Sequence, residues 1–346
     1  MQKSLYHPIR IGSLELNGNL FLAPVAGYSD RAFRSLCIDE GASFTYTEMV
    51  SAEALVRNSG HTEQLLLRAE NEQAYAVQLF GGDPQHLADA ARLVLEKCGA
   101  ECIDINAGCP VPKVCKSGSG ATLTRDPDRL YKVLRAVVDR VRNIQKNPQD
   151  DRQKEPVPVT VKIRSGWDDS SLTWKEAAEA ALSAGISAIA LHPRTRTQGY
   201  AGKANHDILT SLVKYVHQKS PGVPVIGSGD LFSPEAAQMT LAETECDVVM
   251  FARGAIGNPF IFSQTKELLR AGSYAPISAE QQLAIGWKEL NLLCTDTEET
   301  TACRMMRKRF CAYSKGLKGG AELRNKIVRA ETIRDYRSIL AGYCNL

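Results

Sequence analysis

Eight short runs of β-branched and other apolar residues recur along this 346-residue chain and constrain its fold more than any other feature. Most are separated by segments of helical periodicity, which Asp, Thr or Ser often precedes and Gly often ends. The predicted strands are residues 19–25, 44–50, 74–80, 102–108, 158–164, 188–194, 224–230 and 247–253. Eight strands alternating with helices over about 250 residues predict an α/β fold, the (β/α)8 TIM barrel.

An open, doubly wound parallel sheet is the alternative arrangement for the same alternation of strands and helices. Its nucleotide-binding sequence G-x-G-x-x-G should follow the first strand, and this chain has no such sequence after residues 19–25. The barrel is therefore the preferred fold. A polar insert at 143–157 precedes the fifth predicted strand, so we expect a mobile loop at the amino-terminal face of the barrel.

The strand pattern stops at Gly272, and a different organisation follows. Ser278 and Gln281 have the spacing of a capping box, which predicts the start of a helix. We place a domain boundary at 272–277. The prediction is a barrel domain over 1–272 and a C-terminal all-helical, basic domain over 277–346.

The composition is that of a folded, water-soluble protein, with 44% hydrophobic and 23% charged residues. The first residues lack the apolar core of a signal peptide, and no apolar run is long enough for a membrane span. The ten cysteines are irregularly spaced without a C-x-x-C pair, which favours reduced thiols over disulfides or a metal site. We expect a cytoplasmic monomer that binds neither a metal ion nor a membrane.

The net charge of +3 conceals an uneven distribution along the chain. Residues 303–337 contain eleven Lys or Arg and three Asp or Glu, a local net charge of +8, so the rest of the chain carries −5. A basic segment beside a mildly acidic body is typical of proteins that bind a polyanion such as a nucleic acid. A solvated helix face explains the same charges equally well.

Polar residues end six consecutive predicted strands. In a TIM barrel the carboxyl ends of the strands surround the active site, so these side chains should form one ring. Taken singly each has a structural explanation, such as a helix cap or a satisfied buried histidine. Apolar side chains would serve stability better, so the set indicates a binding site. Its members are Gln78, Asn106, Cys109, Lys162, Arg164, His192, Arg194, Ser228, Asp230 and Arg253.

Small residues end the seventh and eighth predicted strands, in the sequences GSGD (227–230) and ARGAIGN (252–258). The loops after these strands commonly bind phosphate in this fold, because backbone N–H groups can approach the ligand closely. With Arg253 as a cation, the pattern favours a phosphorylated cofactor, and FMN fits better than a dinucleotide. Lys162 could stabilise negative charge on a flavin ring, while Gln78 and Asn106 offer it amides. Pyridoxal phosphate leaves those amides without a role.

The combination of these sequences resembles the tRNA-dihydrouridine synthase family over nearly the whole chain. The stretches that carry the resemblance are LAPVAGYSDRAFR (22–34), VQLFGGDP (77–84), DINAGCPVPKV (104–114), VKIRSGWDD (161–169), LHPRTRTQGYAG (191–202), VIGSGDLFSPEAA (225–237), VMFARGAIGNPFIF (249–262) and GLKGGAELRNKI (316–327). The resemblance implies a barrel with a helical tRNA-binding tail, and an FMN that NADPH reduces. It also implies reduction of uridine in tRNA across C5–C6, with ribosomal RNA as the alternative substrate.

The resemblance also implies roles for individual residues. Cys109 would be the acid that protonates C5 after hydride from FMN reaches C6, a task that suits a thiol because it is protonated at neutral pH yet releases its proton readily. The residues expected to hold FMN are Pro24, Val25, Ala26, Gln78, Lys162, His192, Ser228, Gly229, Asp230, Ala252 and Arg253. Those expected to contact RNA are Asn106, Arg194, Arg196, Arg307, Lys308 and Arg324. We expect Cys109 to be catalytic, whereas Cys115 could be either catalytic or structural.

Three positions depart from the family pattern: Val25 replaces a common Met, Ser228 a common Asn and Ala252 a common Gly. These departures leave two other functions open. One is an FMN barrel that acts on a free pyrimidine or another small enone, although a small substrate does not need the basic tail. The other is a non-catalytic RNA-binding protein that has lost its flavin.

Overall fold

The structure is a computed structural model, and it describes residues 4–145 and 156–343. The loop expected at 143–157 lies mostly outside the described residues. No helix within the described ranges combines the length and the hydropathy needed to span a bilayer.

The strands form a small hairpin and one large parallel sheet. The hairpin pairs β1 (Ile9–Ile11) with β2 (Leu14–Leu16) antiparallel, and the sequence analysis did not predict it. The large sheet has nine strands in the order β4-β3-β11-β10-β9-β8-β7-β6-β5. Its members are β3 (Leu20–Leu22), β4 (Phe44–Thr45), β5 (Val50–Ser51), β6 (Ala76–Phe80), β7 (Cys102–Ala107), β8 (Val159–Gly166), β9 (Ala188–Thr195), β10 (Val225–Ser228) and β11 (Val248–Phe251).

The two outer strands of this sheet, β4 and β5, belong to one stretch of chain and close the sheet into a barrel. β4 pairs with β3, β5 pairs with β6, and between them Tyr46 forms a parallel bridge to Ala76. The stretch 44–51 is therefore a single barrel stave interrupted in its middle. Each of the eight predicted runs coincides with one stave to within two residues at its carboxyl end or covers it, and the predicted TIM barrel is confirmed.

Two layers of apolar side chains hold the barrel together. Inside it, the rings of Phe21, Phe44 and Tyr46 pack in tilted and edge-to-face arrangements with centroids 5.2–6.5 Å apart, and small residues such as Ala76 and Ala190 complete the filling. Outside it, a larger buried cluster joins the strands to the helices. Because each strand is buried on both faces, its sequence is a continuous apolar run and does not alternate between apolar and polar residues.

Eleven helices within the described ranges accompany the barrel. Asp30, Asp83 and Ser233 accept backbone N–H hydrogen bonds as N-caps, as expected of residues that start helices. The helices are α1 (Arg31–Asp39), α2 (Ala52–Val56), α3 (Gly60–Gln64), α4 (Pro84–Cys98), α5 (Pro112–Lys116), α6 (Ala121–Arg125), α7 (Pro127–Gln145), α8 (Trp174–Ala184), α9 (His206–Lys219), α10 (Pro234–Thr244) and α11 (Ile261–Ala271).

Four helices follow and form what we call the tail. They are α12 (Ala279–Asp296), α13 (Glu299–Tyr313), α14 (Gly320–Ile327) and α15 (Ile333–Leu340). Ser278 and Gln281 make both hydrogen bonds of the predicted capping box. A buried cluster that includes Met306, Phe310 and Tyr336 joins the tail helices, and α1 of the barrel contributes Leu36 to it. The tail therefore packs on the barrel through a shared apolar cluster.

A buried ion-pair network ties the tail to the barrel. Arg309, 1% exposed, donates hydrogen bonds to Asp30 of the barrel and to Glu289 of the tail. Tyr313 donates a second hydrogen bond to Glu289 at 2.6 Å. Nearby, Gly257 has a φ of +69°, and a Cβ there would lie 2.6 Å from the Ala312 Cβ. Tail and barrel therefore meet at contact distance, in backbone as well as in side chains.

We predict that Arg309→Met lowers the free energy of unfolding by about 3–5 kcal/mol, because the buried Glu289 carboxylate loses its counter-ion. Arg304→Met is the matched control, since Arg304 lies exposed on the same helix; a change within about 0.5 kcal/mol is expected for it. Urea denaturation followed by tryptophan fluorescence measures both. Equal stability of the two variants would contradict the assigned network.

Candidate functional site

A cavity of ≈ 260 Å³ opens at the carboxyl ends of the barrel strands. The polar ring predicted from the strand ends lies there because parallel strands all present their carboxyl ends at one edge. The cavity is lined by the residue expected to be catalytic and by all those expected to hold a cofactor: Cys109, Pro24, Val25, Ala26, Gln78, Lys162, His192, Ser228, Gly229, Asp230, Ala252 and Arg253.

A chain of hydrogen bonds crosses the base of the cavity. Thr160 Oγ1 and Gln78 Nε2 each donate to the buried Asp104 carboxylate at 2.6 Å. Asn106 Nδ2 donates to Gln78 Oε1 at 2.8 Å, and Asn106 Oδ1 accepts from the backbone N–H of Cys109 at 2.9 Å. Three neighbouring strands thereby fix the amide of Gln78 and the loop that carries Cys109.

Burial shapes the chemistry of Asp104, which the sequence analysis did not select. Burial raises the pKa of its carboxyl to about 6, against the opposing effect of the two hydrogen bonds and of Lys162. The carboxylate has no access to the cavity, being 1% exposed. Its effect is to orient Gln78, so that the Gln78 amide has a defined donor and acceptor.

Cys109 lies in a turn whose shape depends on a glycine. Its carbonyl oxygen accepts from the N–H of Ala121 at 3.0 Å and from the Cys115 thiol at 3.5 Å. Gly120, with a φ of +61°, packs against it, and a Cβ there would lie 2.6 Å from that oxygen. Burial raises the pKa of the Cys109 thiol above its usual value, so the thiol holds its proton at neutral pH.

Positive charge dominates the side of the cavity formed by β8. Burial and the neighbouring Arg164 lower the pKa of Lys162 to about 8. Among the described residues no acceptor within hydrogen-bond distance is recorded for the Lys162 ammonium, which faces the cavity. Arg164 instead donates to the carbonyl oxygens of Gly108, Thr195 and Gly199 at 2.7–3.0 Å. Lys162 is thus the cation available to a ligand on this side.

His192 is a neutral imidazole at working pH. Burial and the surrounding cations Lys162, Arg164, Arg194 and Arg253 lower its pKa to about 2. Nε2 of the ring already lies 3.3 Å from Arg194 Nη1, and the neutral ring adds no charge to the cavity.

The loops after β10 and β11 have backbones that only small residues permit. Gly229 has a φ of +110°, and a Cβ on Gly254 would lie 1.9 Å from the carbonyl oxygen of Leu231. Beside them the Arg253 guanidinium lies between the rings of Tyr200 and Phe232, 4.6 and 5.1 Å from their centroids. The arrangement combines close backbone approach with a held cation, as a phosphate site requires.

The structure distributes the residues expected to contact RNA over very different environments. Asn106 lines the cavity, the Arg196 guanidinium lies 4.8 Å from the ring centroid of Trp167, and Lys308 is exposed. Arg307 and Arg324 are partly buried, each donating to a tail carbonyl, Ala330 O and Ser314 O respectively.

Arg194 departs from that expectation. It is 1% exposed, and its guanidinium donates to both carboxylate oxygens of Asp230 at 2.8 Å and to Gly202 O at 2.7 Å. A side chain buried in this way has no surface to offer to RNA. Arg194 instead holds the loop after β10, because it forms an ion pair with Asp230 in that loop, 36 residues away in sequence.

Several cavity residues escaped the sequence analysis. Tyr200 and Phe232 are large and exposed at the cavity rim, and Met49 reaches it from the interrupted stave. Tyr200 lies in the stretch 191–202 that carried the family resemblance, so a signal was present for it. No sequence signal pointed to Met49, because an apolar run does not show that the strand is interrupted between β4 and β5.

Within the described ranges no group of three or more His, Cys, Asp or Glu could hold a metal ion.

Comparisons with known proteins agree with this geometry. A family model described as dihydrouridine synthase matches residues 21–340. A probable tRNA-dihydrouridine synthase of Treponema pallidum is 53% identical over 343 residues, covering 99% of this chain and 98% of that protein. tRNA-dihydrouridine synthase B of Pseudomonas aeruginosa is 35% identical over 324 residues, covering 93% of this chain and 92% of that protein.

Solved structures share the fold. DHODH from Eimeria tenella, in complex with ferulenol, has a TM-score of 0.52 at 14% identity over 75% of this chain and 82% of that chain. A 2-naphthoyl-CoA reductase complex has a TM-score of 0.56 at 12% identity, over 77% of this chain and 52% of that chain. At such identities the likeness concerns the barrel alone. The family model and both curated relatives span nearly the whole chain, however, and on that ground the protein belongs to the dihydrouridine synthase family.

Proposed function

We propose that the protein is a tRNA-dihydrouridine synthase that works as a cytoplasmic monomer, with FMN as cofactor and NADPH as the source of two electrons. Uridine, NADPH and a proton give dihydrouridine and NADP⁺. The observation that carries the proposal is the convergence of Gln78, Asn106, Cys109, Lys162 and Arg253 on one cavity in a chain of this family. tRNA is preferred to ribosomal RNA because the curated relatives bear that name.

The residues around the cavity fit FMN in their chemistry. The loops of Gly229 and Gly254 admit no side chain of their own, and Arg253 supplies a cation, which suits a terminal phosphate. Gln78 and Lys162 lie deeper, where an amide and an ammonium without an acceptor suit the polar edge of a flavin ring. Pro24, Val25 and Ala26 provide an apolar wall. When bound, FMN supplies hydride chemistry at C6 of uracil.

Cys109 is proposed as the acid that protonates C5 of the uracil. Its thiol is partly buried and its raised pKa keeps it protonated, which an acid requires. The hydrogen bond from its N–H to Asn106 Oδ1 fixes its position over the cavity. His192, being neutral, does not compete with it for the proton.

The tail is proposed as the RNA-binding domain. Eight of the eleven cations at 303–337 are exposed, whereas Arg307 and Arg324 are half-buried and Arg309 is wholly buried in the ion-pair network. The exposed ones can neutralise phosphates at little desolvation cost. They are Arg304, Lys308, Lys315, Lys318, Lys326, Arg329, Arg334 and Arg337.

We predict that the purified protein is yellow and that Arg253→Ala weakens FMN binding about tenfold or more, because a charge-assisted contact is worth about 1.5–3 kcal/mol. Fluorescence titration of the apoprotein with FMN measures the dissociation constant. Arg57→Ala, on the exposed surface of the barrel, serves as the control and should bind FMN normally. A normal FMN affinity in Arg253→Ala would remove Arg253 from the phosphate site.

We predict that replacing Lys315, Lys318 and Arg329 together by alanine weakens tRNA binding and flattens its salt dependence, since each lost phosphate contact changes the slope of log K against log salt by about 0.7–0.9. Binding assays at several salt concentrations give that slope.

The control for this experiment replaces three exposed lysines on outer barrel helices, Lys132, Lys214 and Lys219, and so removes the same charge from the whole protein. If the slope of log K against log salt falls equally in both triple variants, the net charge of the protein is responsible and the tail is not the RNA-binding surface.

We predict that Cys109→Ala retains FMN and tRNA binding but forms dihydrouridine about 10²–10⁴-fold more slowly, the usual cost of losing general acid catalysis. NADPH should still bleach its yellow colour, and tRNA should fail to restore that colour under anaerobic conditions. Cys115→Ala is the control and should react normally. Dihydrouridine formation by Cys109→Ala at the wild-type rate in a single turnover would show that another group supplies the proton.

A further inference from the structure

The loop between β3 and α1 forms one wall of the cavity and folds as a single tight turn. Pro24, Val25 and Ala26 line the cavity at the start of this loop. The carbonyl oxygen of Val25 accepts from the N–H groups of Tyr28 and Ser29, both at 2.9 Å, and the Ser29 hydroxyl accepts from Val25 N–H at 2.9 Å. A displacement at one end of the turn is therefore transmitted to the other.

Gly27, in the middle of this turn, is held through its backbone groups by residues outside the loop. Its N–H donates to Glu48 of the interrupted stave. Its carbonyl oxygen accepts from Lys308 Nζ at 2.9 Å and from Arg309 Nη2 at 3.2 Å, and both donors come from helix α13 of the tail. The tail thus holds the wall of the cavity directly.

Lys308 approaches the turn more closely than a larger residue at position 27 would allow. Gly27 has a φ of +76°, and a Cβ there would lie 2.9 Å from the Lys308 ammonium nitrogen. The same ammonium lies 4.3 Å from the ring centroid of Tyr28, a cation–π contact. The Lys308 side chain of the tail therefore contacts two successive residues of the turn, Gly27 and Tyr28.

The Lys308 ammonium also has donors to spare. An ammonium has three N–H groups, and within the described ranges Gly27 O is the one acceptor recorded for this one. The side chain is exposed on the basic tail, where RNA phosphates are expected. Partial burial and the adjacent Arg309 lower its pKa, so an approaching phosphate would stabilise its charged form.

We infer that Lys308 is a positioning residue that couples RNA binding on the tail to retention of FMN in the barrel. The inference rests on the proposed function. A phosphate bound to the free donors of Lys308 holds the ammonium on Gly27 O and on the Tyr28 ring. The turn is then more rigid, and its cavity-lining residues, Pro24 to Ala26, stay in place.

Such coupling has to be reciprocal. If RNA lowers the dissociation constant of FMN by some factor, FMN must lower that of RNA by the same factor. The tail contacts the turn through Lys308 and Arg309. Removing the Lys308 ammonium should therefore greatly reduce the effect of RNA on the dissociation constant of FMN. Arg309 is unsuitable for the test, since it also closes the buried ion-pair network.

The test measures FMN release from the diluted holoenzyme by the fluorescence of free FMN, with and without saturating unmodified tRNA. For the wild type, tRNA should slow release about threefold or more. Lys308→Met should release FMN about three- to tenfold faster without tRNA, which corresponds to the net contribution of one ordinary hydrogen bond, and tRNA should no longer slow it. Lys308→Arg, which keeps the charge and a donor, should restore both properties.

Lys132→Met is the control, because it removes an exposed lysine of the outer barrel helix α7, away from the turn and from the tail. It should release FMN at the wild-type rate and still respond to saturating tRNA. If Lys308→Met behaves like Lys132→Met, the coupling is wrong while the proposed function stands. If the wild type holds no FMN or binds no tRNA, the proposed function fails and the inference fails with it.

Discussion

The parallel pairing that closes the barrel is the constraint on which the rest of the molecule depends. Closure passes through the interrupted stave, where Tyr46 bridges to Ala76 and joins the first half of the sheet to the second. Once the sheet is closed, the carboxyl ends of all staves face a common centre. Side chains from distant parts of the sequence, such as Gln78 and Arg253, then line one cavity because each follows or ends a stave at this edge.

Electrostatics inside the cavity follow from this closure. Lys162 and Arg164 come from β8 and Arg253 follows β11. The acidic residue that lines the cavity with them, Asp230, is paired with Arg194 and also lies 3.6 Å from Arg253. The field is therefore positive, and burial together with this field lowers the pKa of His192 and keeps the imidazole neutral. A ligand that carries or acquires negative charge gains from such a field, whereas a cationic ligand would be repelled.

Much of the fold could be predicted because its signals are local. Apolar runs, caps such as Asp83 and Ser233, and the capping box at Ser278 each depend on neighbours within a few residues. The polar ring was predictable as well, since the fold itself brings strand ends together. The interruption of the stave at 46–49 was not, because the same apolar run is compatible with a continuous strand.

The environments of the arginines were the least predictable part of the site. A sequence shows that Arg194 and Arg309 are cationic, but it does not show which carboxylates they meet. Their partners Asp230 and Asp30 lie 36 and 279 residues away, so only the folded chain brings them together. Both side chains are consequently buried, and positive charge in a sequence does not by itself identify a binding surface.

The close fit at Gly257 limits how this protein can be recombined with its relatives. The backbone of the barrel approaches Ala312 of the tail so closely that a Cβ at position 257 would lie 2.6 Å from the Ala312 Cβ. A chimaera that joins this barrel to the tail of another synthase needs a glycine at 257 together with a small residue opposite it. Exchange of the two parts therefore requires that both sides of this contact come from compatible parents.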